Sequence, residues 1–474
     1  MRKSAPWFLF VMLLSVTTFA KNAKVDNAQD KDALPNTYLR GKQMKFTHAA
    51  PGGPHGAQKL ANAASLSPNV TATPSTSCKP QSSLLACVDS VTNFVGSFKE
   101  EGVYLDGSTR DIWKYSMVGT APRSNVTTVF NAPVIPVTIN MLNNDGTPRS
   151  VVTDTTNCPN CTPGELGKTV RLISKPDSFV EPFLGSPVFA NSTYNSSSVP
   201  TQITDAEMRA QFGKSAKPNW HTLLAPSLKA GVTMALVGGT YLYSLNDDGS
   251  WCAFVLVDYE VFSDELFPPT APLDNSTVLG AAEVSGTITT TDISTLLFAN
   301  VYLYLNDNVN DCCVLGFHGF DTEPGDATNG DRLRFYVMNY SSWISPGLFA
   351  DPTCATTDPE NCFQDVTAHS HEVAEIFNDP FTGYDNIHNI TPFWLNPAGQ
   401  CQDLMEVGDV IEDLLNSTFP VDINGFTYHP QTVALLPWFE FRSPSTAING
   451  AYSYPNETAL TALSAPQPLN CAGK

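Results

Sequence analysis

The stretch DVTAHSHEVAEIFNDP, residues 365–380, decides how the rest of the chain reads. Two of the chain's eight histidines fall in it, with two glutamates, between His369 and Glu375. The run favours a helix. The helix is expected to start at Asp365 or Thr367 and to stop before Pro380, with Asn378 and Asp379 as terminators, because a proline inside a helix removes a hydrogen bond and clashes with the preceding turn. On a helix, residues four apart share a face, so His371 and Glu375 project side by side with Glu372 on the adjoining edge. His369 points away from that face and is expected to cap the helix or support a ligand.

The segments around this helix read as sheet. FANVYLYL (298–305), CCVLGFHGF (312–320) and LRFYVMNYSSWI (333–344) precede it as three β-prone runs. Upstream, VTMALVGGTYLYSL (232–245) and WCAFVLVDYEVF (251–262) are further strands separated by turn residues. FNAPVIPVTINML (130–142), NNDGTP (143–148) and RSVVTD (149–154) read as a hairpin around an Asn-Asp-Gly turn. TDAEMRAQF (204–212) reads as a helix, and LLACVDSVTNFVGSFKEEGVYL (84–105) as a short helix feeding a strand. The class expected is α+β, rich in strand, with a mixed sheet packed on the helix that carries the cluster. Four regions follow: a signal peptide at 1–20, a disordered leader at 21–77, a β-rich N-terminal region at 78–298 and the cluster-bearing region at 299–474.

MRKSAPWFLFVMLLSVTTFA opens with basic residues, runs apolar from Trp7 to Val16 and ends in small residues, the plan of a secretory signal cleaved after Ala20. The apolar run is shorter than the roughly 20 residues a spanning helix needs. The expectation is export, to an extracellular or periplasmic compartment, with no membrane attachment after cleavage. Forty-six acidic against 26 basic side chains give a net charge of -20, which argues against a nucleic-acid partner. Eleven cysteines in an exported chain suggest disulfides, with Cys78–Cys87 and Cys354–Cys362 close enough to staple loops. Cys158-Pro-Asn-Cys161 reads as a stapled turn, since no second pair completes a zinc tetrad. Nine N-x-S/T sequons, among them Asn339 and Asn389, are acceptors in a eukaryotic secretory pathway.

The cluster carries metal chemistry. In H-E-x-x-H the first and fifth residues hold zinc and the glutamate accepts a proton from water. Here the fifth residue is Glu375, and a carboxylate oxygen is an acceptable zinc ligand. A third ligand is expected from CQDLMEVGDVIED (401–413): Glu406 is the candidate, with Asp409 as alternate ligand or as acceptor for His371. His318 and His429 are candidates to contact a substrate or its transition state. The Asp/Asn-rich runs LNDNVNDCC (305–313) and DTEPGDATNGD (321–331) read as loops; their oxygens could hold calcium, but neither has EF-hand spacing. The chain has no G-x-S-x-G elbow, no phosphate-cradling loop and no dinucleotide fingerprint.

Strands leading into His371-Glu372-x-x-Glu375 resemble the zincin metallopeptidases. NWHTLL (219–224), CCVLGFHGF, SHEVAEIFNDPF (370–381), LMEVGD (404–409) and TYHPQTVALLPWF (427–439) together are similar to a group of exported bacterial proteins without an assigned activity. The zincin likeness implies a zincin-like mixed sheet on an active-site helix, with His371 and Glu375 as zinc ligands, Glu372 as general base and a peptide or protein as substrate. The chain departs from that family in having glutamate in place of the second histidine. The leading expectation is therefore a secreted zinc-dependent hydrolase, a peptidase using a metal-activated water. The alternative is a non-catalytic extracellular binding or surface protein on the same scaffold. A glycosidase using Glu372 or Glu375 with Glu406 ranks below both, because neighbouring glutamates on one helix do not face each other across a cleft.

Overall fold

Ile293–Ala299 (ISTLLFA) and Val301–Tyr304 (VYLY) are buried at every position, as strands are when helices cover both faces of their sheet. They lie inside a twelve-stranded mixed sheet. The computed structural model describes residues 31–40, 42, 45–48, 88–104, 106–152, 169–195, 199–245, 253–268, 275–349, 354–384 and 387–471. The expected signal peptide, the expected Cys78–Cys87 staple and the expected Cys158–Cys161 turn lie outside the described residues.

Across the sheet the strands run in the order 232–236, 127–141, 293–299, 333–343, 312–323, 301–304, 254–258 and 241–244. The 127–141, 293–299 and 333–343 strands are parallel neighbours, and 312–323 runs antiparallel to 333–343. Helices Tyr259–Leu266 and Val278–Val284 cover one face, where Phe262 meets Phe298, Phe317 and Tyr340. The 367–378 helix covers the other, packing across the 312–323 and 333–343 strands. Alternation along the 312–323 strand therefore divides its side chains. Phe317 lies against Tyr340 on the first face, while Gly316, His318 and Phe320 face the second, toward Glu372 and Phe381.

The fold is mixed and strand-rich, as the runs predict. The cluster helix spans Thr367–Asn378, with Asp365 accepting from the Val366 amide at 2.6 Å and Pro380 following its Asp379 terminator. The expected 204–212 helix forms over Ile203–Phe212. Several expectations give way. The boundary at 298/299 cuts the Ile293–Ala299 strand, because the sheet draws its strands from both sides of it. The 143–147 turn closes, with the Gly146 amide on the Asn143 carbonyl, but Ser150–Val152 leaves to pair with Thr169–Arg171. Residues 259–262 of WCAFVLVDYEVF begin a helix, because Asp258 caps it through the amides of Glu260 and Val261. The described part of 84–105 is strand, Val88–Asp89 and Asn93–Val103. Within the expected leader, Leu39 is fully buried in an apolar cluster with Tyr302 and Leu315, and the backbone of Lys45–His48 pairs with the 312–323 strand.

Cys354 pairs with Cys362, Cys401 with Cys471 and Cys312 with its neighbour Cys313. Asn339 and Asn389 are buried, with their amides bonded to Ser294 and Ser116 carbonyls, so these sequons serve the core in the folded chain. Among the described residues no helix is long and apolar enough to cross a membrane.

The 203–212 helix steadies the end of the cluster helix through one side chain. Buried Gln211 donates to Asn378 Oδ1 at 2.9 Å and accepts from the Leu436 amide at 3.3 Å. Leucine there leaves both partners desolvated and unpaired, at about 1–3 kcal/mol for each buried group. Gln211→Leu is expected to lower the urea midpoint without changing the slope of the transition; an unchanged midpoint contradicts this role.

Candidate metal centre

The centre is built by three segments that meet between the sheet and the helix. The first is the helix face of His371, Glu372 and Glu375. The second is the sheet strand bearing Gly316 and His318. The third is the returning segment 404–409: Ile390–Leu395 and Cys401–Leu404 form a hairpin, and the Met405 amide then bonds the Asn389 carbonyl at 3.0 Å. This turns Glu406 inward.

His318, His371, Glu372, Glu375 and Glu406 are each 0 % exposed. His318 Nδ1 stands 3.4 Å from Glu372 Oε2 and 3.3 Å from Glu375 Oε2, and its Nε2 is 3.8 Å from Glu406 Oε2. His371 Nε2 stands 3.1 Å from Glu375 Oε2 and 3.4 Å from Asp409 Oδ1. Two sets of potential ligand atoms result, His318–Glu375–Glu406 and His371–Glu372–Glu375, each with its atoms within 4.8 Å of one another. Glu375 belongs to both.

The surroundings aim these atoms inward. His318 Nε2 donates to the Asp379 carbonyl at 3.2 Å, which turns Nδ1 toward the glutamates. His371 Nδ1 donates to Gln431 Oε1 at 2.9 Å, and the Gln431 amide nitrogen donates to the Gly408 carbonyl at 2.8 Å, leaving His371 Nε2 on the carboxylate side. Glu375 Oε1 accepts from the Gly408 and Asp409 amides at 3.1 and 3.3 Å. Two glycines make room. A Cβ on Gly316 would sit 2.7 Å from Glu372 Oε1, and one on Gly408 would sit 2.5 Å from His371 Nδ1.

Electrostatics carries the same message. Burial opposes protonation of both histidines, but the carboxylates around them prevail: Glu406, Glu372 and Glu375 about His318, and Glu375, Asp409 and Glu372 about His371, so both pKa values lie well above 6.5. Burial pushes Glu372 up to about 7, against the pull of His318 and His371. Glu406 is raised well above 4.5 by burial and by the charge on Glu375. Glu375 is lowered instead: His371 and His318 outweigh its burial. Glu372 Oε1 and both Glu406 oxygens accept no hydrogen bond, and among the described residues no Lys or Arg pairs with any of the three glutamates. Buried carboxylate oxygens with no donor, facing imidazole nitrogens, fit a divalent cation.

Each residue singled out from sequence has a definite place. His371, Glu372, Glu375 and Glu406 meet at the centre, and Asp409 Oδ1 stands 3.4 Å from the same His371 nitrogen that faces Glu375, the place of the alternate ligand, while Gln431 takes the acceptor place on the other nitrogen. His318 lies inside the ligand set rather than out where a substrate would pass, a correction that follows from its position on the sheet face under the helix. His429 is at the other end of the helix, with Nδ1 2.8 Å from Asp365 Oδ2 and its amide also on Asp365, so it anchors the helix start. His369 points away: its ring packs 4.4 Å from Phe183 and 5.3 Å from Phe189, and burial pushes its pKa down to about 3. Gln431, Gly316 and Gly408 gave no local signal. The two Asp/Asn-rich loops differ from the calcium reading, since Asp326 is engaged by Arg334 at 2.6 Å and Asp311 by Lys45. Buried Asp321 and Glu323 instead join Glu283 in a third group, on the sheet face opposite the helix.

Set against known proteins, the chain matches no family model, no curated protein and no solved structure.

The pKa shifts predict an unusual pH dependence for the metal-free chain. His318, His371, Glu372 and Glu406 all have folded pKa values raised above their unfolded ones. The folded state therefore holds more protons, and their contribution is lost as pH rises through the folded values. Metal-free protein is expected to show a falling Tm between pH 6 and 9, while added zinc raises Tm by more at pH 9 than at pH 6, because ligands must shed protons to bind. A Tm that rises over this range without metal contradicts the protonation scheme.

Proposed function

We propose that the chain is an exported metal-dependent hydrolase acting on peptide bonds. One observation carries the reading: two overlapping His/carboxylate sets share Glu375, and Glu372 Oε1 and both Glu406 oxygens accept no hydrogen bond. Zinc is the ion that imidazole and carboxylate donors in this number suit best. His371, Glu375, Glu406 and His318 would hold it, with Asp409 beside His371.

A zinc ion held by these residues would acidify a water and polarise a carbonyl. Glu372 supplies the base. It belongs to the His371 set and its Oε2 stands 3.4 Å from His318 of the other, and a value near neutrality suits a group that must first take and then give a proton. It accepts the proton of the attacking water and delivers it to the leaving amine. The Gln431–His371 and Asp379–His318 bonds keep the imidazoles in register during this exchange. The zincin likeness of the helix supports the same assignment, and the disulfides accord with an oxidising compartment outside the cell.

A second reading is favoured by a separate observation, the full burial of all five side chains. On that reading the ion is structural and ties helix, sheet and 404–409 segment together without meeting a substrate.

Glu372→Gln separates the two. The hydrolase reading expects casein hydrolysis by the zinc-loaded protein to fall by about 10²–10⁴-fold, with zinc content and Tm retained. Hydrolysis at the unmodified rate removes Glu372 from catalysis, and zinc-loaded parent protein that cleaves nothing leaves the structural ion.

A further inference from the structure

Six side chains bring donor atoms to the centre, and a single ion leaves some of them over. His371, Glu375, Glu406 and His318 fill the four positions of a tetrahedral zinc, so Glu372 and Asp409 stay outside it. A zinc closed by four protein ligands also keeps no open position, which is the mark of a structural ion and not of a catalytic one.

Charge makes the surplus matter. Glu372, Glu375, Glu406 and Asp409 each turn an oxygen to an imidazole nitrogen, at distances between 3.1 and 3.8 Å. Among the described residues no Lys or Arg pairs with any of the four. One divalent ion balances two of these carboxylates when all are ionised and leaves the other two uncompensated out of water, which is strongly unfavourable. Two divalent ions balance all four.

The donors divide around one oxygen. The Gly408 and Asp409 amides hold Glu375 Oε1, so Oε2 is the oxygen turned to the centre. It stands 3.1 Å from His371 Nε2 on one side and 3.3 Å from His318 Nδ1 on the other. Asp409 Oδ1 lies 3.4 Å from the same His371 nitrogen. Ligands on one tetrahedral zinc stand roughly 3.3 Å apart, given zinc–ligand distances of roughly 2.0–2.1 Å, so these spacings suit an ion. On the other side Glu406 joins His318 and Glu375 in a set whose atoms lie within 4.8 Å of one another. Glu406 is fully buried, and neither of its oxygens accepts a hydrogen bond.

We propose that the centre holds two divalent cations bridged by Glu375 Oε2: an outer one on His371, Glu375 and Asp409, and an inner one on His318, Glu375 and Glu406. The inference rests on the metal of the hydrolase reading and redistributes its ligands, but it does not depend on the reaction. Each ion has three protein donors and therefore an open position, as a catalytic zinc requires. Glu372 remains free to act as the base between them. Paired ions can share the work, one acidifying water while the other polarises the carbonyl. The two also differ in access, since Asp409 is 6 % exposed and the other ligands are 0 % exposed. The outer ion is the one to leave first.

The test counts ions. The parent, Asp409→Asn and Glu406→Gln are saturated with zinc, freed of excess at pH 7.5 and weighed by native mass spectrometry, with circular dichroism as the check on folding. The parent is expected to hold about two zinc ions and each variant about one. Release to the chelator 4-(2-pyridylazo)resorcinol is expected in two equal steps from the parent, with the fast step missing in Asp409→Asn and the slow step missing in Glu406→Gln. A parent that saturates at one zinc overturns the second ion whether or not the variants fold, and casein hydrolysis by that protein leaves the hydrolase standing. Two zinc ions without casein hydrolysis uphold the paired centre and overturn the hydrolase. A folded variant that keeps both ions overturns the division of ligands.

Discussion

Three carboxyl groups and two imidazoles lie fully out of water between a sheet face and a helix, and the rest of the structure answers to that constraint. Removing a single ion from water costs several kcal/mol even after the protein relaxes around it. Without a cation the cluster meets this cost by favouring protons: burial and the charge on Glu375 raise Glu406, the surrounding carboxylates raise both imidazoles, and those imidazoles lower Glu375. A divalent ion replaces those protons with one fixed charge. That exchange links metal affinity, pH and stability in one equilibrium.

The architecture keeps these groups from drifting apart. Gly316 and Gly408 let the sheet strand and the returning segment approach the helix more closely than a side chain allows. Gln431 ties His371 to the Gly408 carbonyl, and the Gly408 amide returns to Glu375, so one loop positions two ligands. The hairpin that delivers this loop is joined to the C-terminal segment by Cys401–Cys471. Asp365, through the amides of Val366 and His429, ties the start of the helix to the 427–431 segment. Positioning is thus spread over segments up to about sixty residues from the ligands they serve, counting from His371 to Gln431.

What could be read in advance was what local spacing encodes. The i, i+4 pairing of His371 with Glu375, the limits of their helix and the outward direction of His369 follow from helical periodicity alone. The inward return of Glu406 was reachable because an acidic loop soon after a ligand helix has ample chain to fold back. His318 was seen but misplaced: on a strand, one histidine announces nothing until register decides its face, and Asn339 across from it sets that register. Gln431 and the two glycines act through tertiary approach, which leaves no period. The division at 298/299 failed for a similar reason, since a sheet that pairs residues 127–141 with 293–299 joins segments far apart in the chain. The leader was judged by composition, and a few apolar residues such as Leu39 were enough to seat part of it.

Metal content is the most direct measure of the central claim. The account predicts that purified protein, equilibrated with zinc and then freed of excess at pH 7.5, retains zinc in stoichiometric amount by mass spectrometry of its metals. Glu375→Ala, which removes the group common to both ligand sets, is predicted to retain none while keeping its far-ultraviolet circular dichroism. Parent protein without stoichiometric metal, or a folded variant that binds zinc as the parent does, would contradict it.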